Sequence, residues 1–281
     1  MSNLNQKIKL DQEDSKKPLL IAALICATIL FSVIYLKISM IDMMMGLPNF
    51  ILFFFQNFFP PSLENVQQYI PAVLDTIGYA VIATFLSSIL ALILGILISE
   101  NTNKYKSIRM ICRALVSVMR NIPFVIWGAL LVYIFGLGGI VGVLALIFVT
   151  IGFLGKSYAE SIDEISGEKL EALRANGASY FQILLHGVLP QFVPSWINWT
   201  LFSFEINVRA SVVLGLVGAG GIGVLIDTNI NLFNYGEALG IIIVIVSIIL
   251  LTEFVTNTLR KKTDIMKGVN FNGNELYPCN I

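Results

Sequence analysis

The sequence predicts an all-α polytopic membrane protein with six transmembrane helices. Three observations carry that expectation. Of the 281 residues, 56% are hydrophobic and only 13% charged, against about half and about a quarter in ordinary soluble domains. The apolar residues fall into blocks of roughly 20, about the length a helix needs to cross a hydrocarbon core some 30 Å thick. Basic residues cluster in alternate connections, as they do when Lys- and Arg-rich loops are retained in the cytoplasm.

The predicted spans are residues 19–36, 73–99, 115–135, 140–158, 193–217 and 238–259. Lys16 and Lys17 precede the first, which resembles a signal peptide in that respect. No small-x-small cleavage site follows, and Ile25 argues against a lipoprotein reading of Cys26, so the segment reads as an uncleaved anchor. Lys104, Lys106, Arg109 and Arg113 lie between spans two and three, and Lys156, Lys169 and Arg174 lie between spans four and five or at their edge. Arg260, Lys261, Lys262 and Lys267 follow span six, whereas the opposite connections contain only Lys37. Both termini are therefore expected in the cytoplasm. The chain divides into an N-terminal tail (1–18), an anchor (19–36), an external segment (37–72), a core (73–259) with a cytoplasmic loop at 159–192, and a cytoplasmic tail (260–281). Within the external segment, Met43 to Phe59 is apolar and aromatic but is interrupted by Pro48 and ends at Pro60-Pro61. It is read as lying in the interface or against the bundle. Lys267 to Ile281 reads as a polar, mobile end.

Span two carries Thr76, Ala80, Thr84, Ser88, Ala91 and Gly95 at helical spacing, a face of small residues that lets another helix approach closely. Gly138 with Gly142, and Gly236 with Gly240, repeat the device. Span five differs. Asn198, Glu205 and Arg209 share one face, while Thr200, Ser203, Asn207 and Ser211 form a second polar stripe nearly opposite. A mid-helix charge costs about 2.5–3.5 kcal/mol on insertion scales and an apolar residue gains only about 0.3–0.6, so two charges offset about ten good apolar residues. Span five is expected to be surrounded by protein or to line a wet cavity. Two compatible readings stand for Glu205 and Arg209: a pair one turn apart that braces the bundle, or an Arg beside an anion route with Glu205 orienting it. Arg120 is a second intramembrane cation, about one turn into span three, read either as snorkelling to the cytoplasmic interface or as contacting a substrate. Pro123 cannot donate to the Met119 carbonyl and predicts a kink.

Net charge is zero, which gives no reason to expect a nucleic-acid partner. Gly218-Ala219-Gly220-Gly221-Ile222-Gly223 satisfies a dinucleotide-binding pattern, but a membrane helix rather than a strand precedes it. Gly152 to Ser157 reads GFLGKS, but position 150 is Thr150 rather than the glycine a phosphate-binding loop needs. Cys26, Cys112 and Cys279 are too dispersed for a metal or redox site. His186, the single histidine, falls in a polar loop. No Ser/His/Asp set, metal cluster or intramembrane carboxylate pair points to an enzyme, so no catalytic residue, cofactor or metal is expected on this chain.

The loop from Glu168 to Ser179 places acids before Arg174 on good helix formers, with Gly177 ending that helix and a second short helix following over roughly Tyr180 to Leu185. Glu171, Ala172, Gly177, Leu189 and Pro190 stand where the E-A-A, three residues, Gly, then Leu-Pro signature stands in permeases of bacterial ABC importers. Leu173 departs from the general pattern, which has a second Ala there. Phe204 to Gly223 further resembles span five of the phosphonate importer branch, and Arg120-Asn121-Ile122-Pro123 and Gly46-Leu47-Pro48 fit the same branch. The resemblance implies a transport subunit of the bacterial inner membrane that forms a pathway with a second copy of itself. It also implies cytoplasmic ABC ATPase subunits that hold the ATP and Mg, and an external substrate-binding protein. The cargo implied is phosphonate, phosphite or phosphate. Arg209, Glu205, Asn207 and Arg120 would belong to the substrate pathway, and Gly218, Gly220, Gly221 and Gly223 would form either a flexible outer gate or a plain tight turn. The alternatives are a permease of the same architecture for an amino acid or osmolyte, and an ATP-independent secondary transporter.

Overall fold

A computed structural model describes residues 2–37, 39–165 and 167–271. The described residues are helical apart from short connections, and they divide into two compact units, residues 1–59 and 60–281.

The first unit holds α1 (Ser2–Tyr35) and α2 (Met40–Phe58). The apolar part of α1, Leu20–Tyr35, is 16 residues long, and its side chains point outward from the chain. Helix α2 starts at a real cap: the Asp42 amide donates to Ser39 Oγ at 3.1 Å. Pro48 does not interrupt it. Its ring removes one donor, but its fixed φ is helical, and the 19-residue helix continues through it. Phe54 and Phe58 stack at 5.0 Å, and Phe55 and Phe59 at 5.4 Å, along one flank.

The second unit is a bundle of α3 (Val66–Ile98), α4 (Lys106–Asn121), α5 (Phe124–Phe135), α6 (Gly139–Asp163), α7 (Gly167–Ala175), α8 (Tyr180–Gln182), a π-helical turn (Ile183–Val188), α9 (Leu189–Leu216), α10 (Ile222–Asn231) and α11 (Tyr235–Phe271). Helix α3 begins at Val66, ahead of the predicted Val73, and carries Pro71 within its early turns. Helix α11 runs on to Phe271, past the predicted end at Leu259. Residues 272–281 of the predicted tail, with Cys279, lie outside the described residues. The six predicted spans correspond to α1, α3, α4 with α5, α6, α9 and α11. Among the described residues, three helices (α3, α6 and α11) are long and apolar enough to cross a membrane on those criteria alone, and a fourth crossing appears if α4 and α5 count as one. Helix α9 has the length, 28 residues, but not the hydropathy.

The predicted kink at Pro123 is a full break, with α4 and α5 meeting at 87°. Pro123 cannot donate to Met119, and the indole Nε1–H of Trp127 reaches that carbonyl in a long 3.5 Å bond. The next helix starts on Pro123 itself, whose carbonyl accepts from Ile126 N at 2.9 Å and Trp127 N at 3.2 Å.

The small face of α3 is where the bundle closes. Thr76, Ala80, Thr84, Ser88, Ala91 and Gly95 are all buried. A Cβ on Gly95 would stand 2.9 Å from Tyr158 Cβ, and one on Gly152 of α6 would stand 2.6 Å from the Arg120 amide nitrogen. Packing at that distance is available only to glycine. Meanwhile Leu74, Phe85, Ile93, Leu250 and Phe254 face outward on α3 and α11, as expected of helices whose outer solvent is lipid. Gly152→Ala should lower stability by about 1–3 kcal/mol through overpacking. Gly78→Ala, with open space around it, should gain up to about 1 kcal/mol in helix propensity. Thermal unfolding followed by size-exclusion in detergent checks both.

Candidate functional site

The two polar stripes of α9 meet different neighbours. The stripe of Thr200, Asn207 and Ser211 turns toward α3 and α6, which run antiparallel to it. Asn207 Nδ2 donates to Thr84 Oγ1 at 2.8 Å, and Asn207 Oδ1 accepts from Thr150 Oγ1 at 2.9 Å. Thr200 Oγ1 lies 2.7 Å from the Tyr158 hydroxyl, itself 3.1 Å from Ser88 Oγ, which accepts from the Trp196 indole at 2.8 Å. Ser211 Oγ lies 3.3 Å from the Thr76 carbonyl, and Thr76 Oγ1 accepts from the Ile222 amide at 2.8 Å. Ser203 Oγ is buried without a hydrogen-bond partner among the described residues. Asn207, a predicted pathway residue, is thus a buried tie between three helices.

The other stripe meets α11. Glu205, with its side chain only 8% exposed, accepts through Oε1 from Arg209 Nη2 and through Oε2 from Arg260 Nη2 at 2.8 Å. Arg209 Nη2 also reaches Glu253 Oε2 at 3.2 Å, and Thr256 Oγ1 lies 3.5 Å from Glu205 Oε2. The Arg260 guanidinium sits 5.6 Å from the centre of the Phe202 ring, within cation–π range. Two carboxylates and two guanidiniums alternate, so the network carries no net formal charge. The bracing reading of the Glu205–Arg209 pair describes this geometry, and Arg209 keeps 46% of its side chain exposed. Glu253 and Thr256 were not among the residues singled out from the sequence, and Arg260 was noted only as a basic residue following span six. Glu253 lies inside the predicted sixth span, seven positions before Arg260, and that spacing on one helical face was the available signal. Glu253 and Glu205 meet only through Arg209, which lies between them. Asn198, on the same face of α9, lines an open 560 Å³ cleft with Ser161, Ser195, Trp199, Phe202 and Arg260.

The signature loop forms a helix-turn-helix knob. Helix α7 ends at Ala175, and Gly177 turns the chain just beyond it with a φ of +79° that suits glycine, while the amide of Ala178 returns to the Leu173 carbonyl at 3.1 Å. Ser179 and Gln182 then form a reciprocal capping box. Leu170, Ile183 and Val188 are buried in one cluster with Leu154, Tyr158 and Ile162 of α6 and Phe192 of α9, while Glu171, Ala172 and Gly177 are exposed. Leu173, the departure from the family pattern, rests on Gly187: a Cβ there would lie 2.9 Å from Leu173 Cδ1. Leu189 and Pro190 open α9 directly after the knob. Arg174 donates to the Asn101 carbonyl at 3.0 Å, and Asp163 Oδ1 accepts from Ser99 Oγ at 2.6 Å and the Glu100 amide at 2.7 Å. The knob is thus tied to α3, α6 and α9 together.

The glycine segment is a packed turn. Gly218, Gly220 and Gly221 have positive φ, the Gly138 amide donates to Gly218 O at 3.1 Å, and a Cβ on Gly215 would stand 2.7 Å from Gly223 Cα. Helices flank it on both sides. His186 is exposed, with Nδ1 3.3 Å from the Gln182 carbonyl.

Residues 91–264 match the family described as the binding-protein-dependent transport system inner membrane component. The chain belongs to that family. This permease is 37% identical over 206 residues to the phosphate-import permease protein PhnE of Mycolicibacterium smegmatis, an alignment covering 73% of this chain and 39% of that one. It is 33% identical to the phosphite transport system permease protein PtxC of Stutzerimonas stutzeri, over 72% of this chain and 74% of that one. It thus spans under half the length of the first of these relatives and about three quarters of the second. A chain of the MetNI methionine ABC transporter in an inward-facing conformation superposes with a TM-score of 0.64 at 20% identity, covering 72% of this permease and 99% of that chain. The fold is that of ABC importer permeases.

Removing the permease's central carboxylate tests the charge network. Glu205→Gln removes the carboxylate that both guanidiniums share and should destabilise by about 1.5–3 kcal/mol, the scale of a charged hydrogen bond, because Arg209 and Arg260 keep access to water and to Glu253 and Asn257. Glu253→Gln, at a 43% exposed side chain, should cost about 1 kcal/mol or less. Unfolding in detergent compares the two variants.

Proposed function

We propose that this permease carries a phosphorus oxyanion (phosphate, phosphite or phosphonate) inward across the bacterial inner membrane, driven by separate cytoplasmic ATPase subunits and supplied by an external binding protein. The observation that carries the reading is the knob, whose exposed Glu171 and Ala172 stand on a base packed into the cluster of α6 and α9. A groove in an ATPase subunit could grip that knob, and its closure would reach the spans without passing through a loose hinge. In this reading the knob faces the cytoplasm, both termini lie on that side, and two copies of the permease enclose the route. ATP and Mg belong to the ATPase partner.

The relatives named above support the cargo assignment, and the chemistry of α9 is compatible with it. The α9–α11 network is neutral overall, so it offers attraction through the exposed Arg209 without a deep trap for an anion, and a conduit has to release what it binds. Arg209 is a positioned donor whose other contacts, to Glu205 and Glu253, fix its guanidinium. Asn207 keeps the pathway's wall in register from inside the bundle.

The test is reconstitution with candidate ATPase and binding-protein subunits in liposomes, recording ATP-dependent uptake of phosphate, phosphite and methylphosphonate. Wild type should take up at least one of them, and Arg209→Ala should lose about ten- to a hundredfold, the equivalent of one charge-assisted hydrogen bond. Glu171→Ala should leave a folded permease that no longer converts ATP hydrolysis into uptake. Uptake that persists without any ATPase would overturn the importer reading, and wild-type uptake by Glu171→Ala would overturn the coupling role.

A further inference from the structure

A second cationic feature lies away from the α9–α11 network. Helix α4 docks on α6 through Val116, which sits opposite Gly155, and through the Arg120 backbone, which sits against Gly152. Beside that seam opens a 380 Å³ cleft lined by Arg113, Ser117, Arg120, Lys156, Glu160 and Asp163, among others. Its volume is in the range of small-ligand sites.

The cleft's three cations outnumber its two carboxylates, and two of those cations have no ion-pair partner among the described residues. Lys156 pairs with Glu160 at 3.3 Å. Asp163 Oδ1 is taken by the Ser99 hydroxyl and by the amides of Glu100 and Asn101. Arg109, one turn before Arg113, is occupied by Glu100 at 3.5 Å and the Asn103 carbonyl at 2.9 Å. Arg113 and Arg120 have neither an ion pair nor a hydrogen bond among the described residues. They stand two turns apart on one face, about 10 Å along the axis, with Ser117 between them. Ser117 Oγ accepts from Asn121 Nδ2 at 3.2 Å, leaving its own O–H to donate. Two unengaged guanidinium forks, a hydroxyl and a nearby ammonium form a donor set suited to tetrahedral phosphate-type oxygens.

We propose that the α4–α6 cleft binds a phosphate-type group through Arg113, Ser117 and Arg120. The same chemistry is offered by a free phosphorus oxyanion and by the headgroup of an anionic phospholipid, which basic pockets between membrane helices also hold. The proposal rests on the importer reading only for the choice of the free-oxyanion probe.

The full chain in phosphatidylcholine nanodiscs would be titrated with inorganic phosphate and with methylphosphonate, followed by 31P line broadening. Retention of phosphatidylglycerol would be measured by native mass spectrometry. Wild type should bind one class of probe, and Arg113→Gln/Arg120→Gln should weaken that binding about tenfold or more, the loss expected for charge-assisted hydrogen bonds. Arg113→Lys/Arg120→Lys should keep part of it, which separates loss of charge from misfolding. Oxyanion binding lost in the Gln variant identifies a free-anion site, and lipid retention lost in it identifies a headgroup site. No binding of either class by wild type, or equal binding by wild type and the Gln variant, would overturn the proposal. Because the readout is binding, a failure of ATP-driven uptake would count against the importer's cargo and leave this site standing.

Discussion

Lipid offers no hydrogen bonds, and α9 carries more polar groups than a lipid-facing helix tolerates. Its neighbours answer that constraint side by side. Thr84 and Thr150 face Asn207, Tyr158 and Ser88 face Thr200, and Glu253 and Arg260 face Arg209 and Glu205. The partners come from three different helices, two from each, so satisfying α9 fixes α3, α6 and α11 around it. An apolar α9 would pack on the same helices by contact alone, with little to set its rotation or its depth.

Close approach is the other half of that arrangement. The hydrogen bonds of 2.8–2.9 Å that Asn207 makes to Thr84 of α3 and Thr150 of α6 come from short side chains, and these require backbones that come near. Gly95, Gly152 and Gly155 supply that proximity between α3, α4 and α6. The break at Pro123 then lets α5 leave the α4 direction and reach α9, where Gly128 admits Leu214. Small residues and the polar ladder are one design read at two scales.

Much of this was legible in the sequence, because periodicity encodes which residues share a face. The small face on α3, the two stripes on α9, the turn at Gly177 after α7 and the following short helix are all local patterns of 3 to 7 residues, and the fold keeps them. Hydropathy was a weaker guide to the span count, since burial in protein lets α9 be more polar than any lipid-facing span. Partners distant in sequence were not legible. Glu253 and Arg260 gain meaning only when α11 folds back antiparallel to α9, and the pairing of Leu173 with Gly187 emerges only in the folded knob. The severity of the bend at Pro123 also exceeded the local signal, because a proline states that one bond is lost and not how far the neighbouring helices turn.

The knob and the charge network share α9 at different heights, and that geometry bears on transmission. Leu170, Ile183 and Val188 pack on Phe192 near the start of α9, whereas Glu205 and Arg209 lie three to five turns further along it. Pro194 lies in the early part of that stretch, and α9 continues through it to Leu216, so a displacement imposed at the knob would reach the network as rotation or translation of α9. The groups opposite α9 respond unequally. The hydroxyl ties to α3 and α6 are buried and close-packed, while the Arg209–Glu253 bridge is half-exposed and water can replace either partner. Movement of α9 would therefore separate it first from α11, at the point where Arg209 reaches the surface. That places a half-exposed contact between α9 and α11 at Arg209, the one cation on α9.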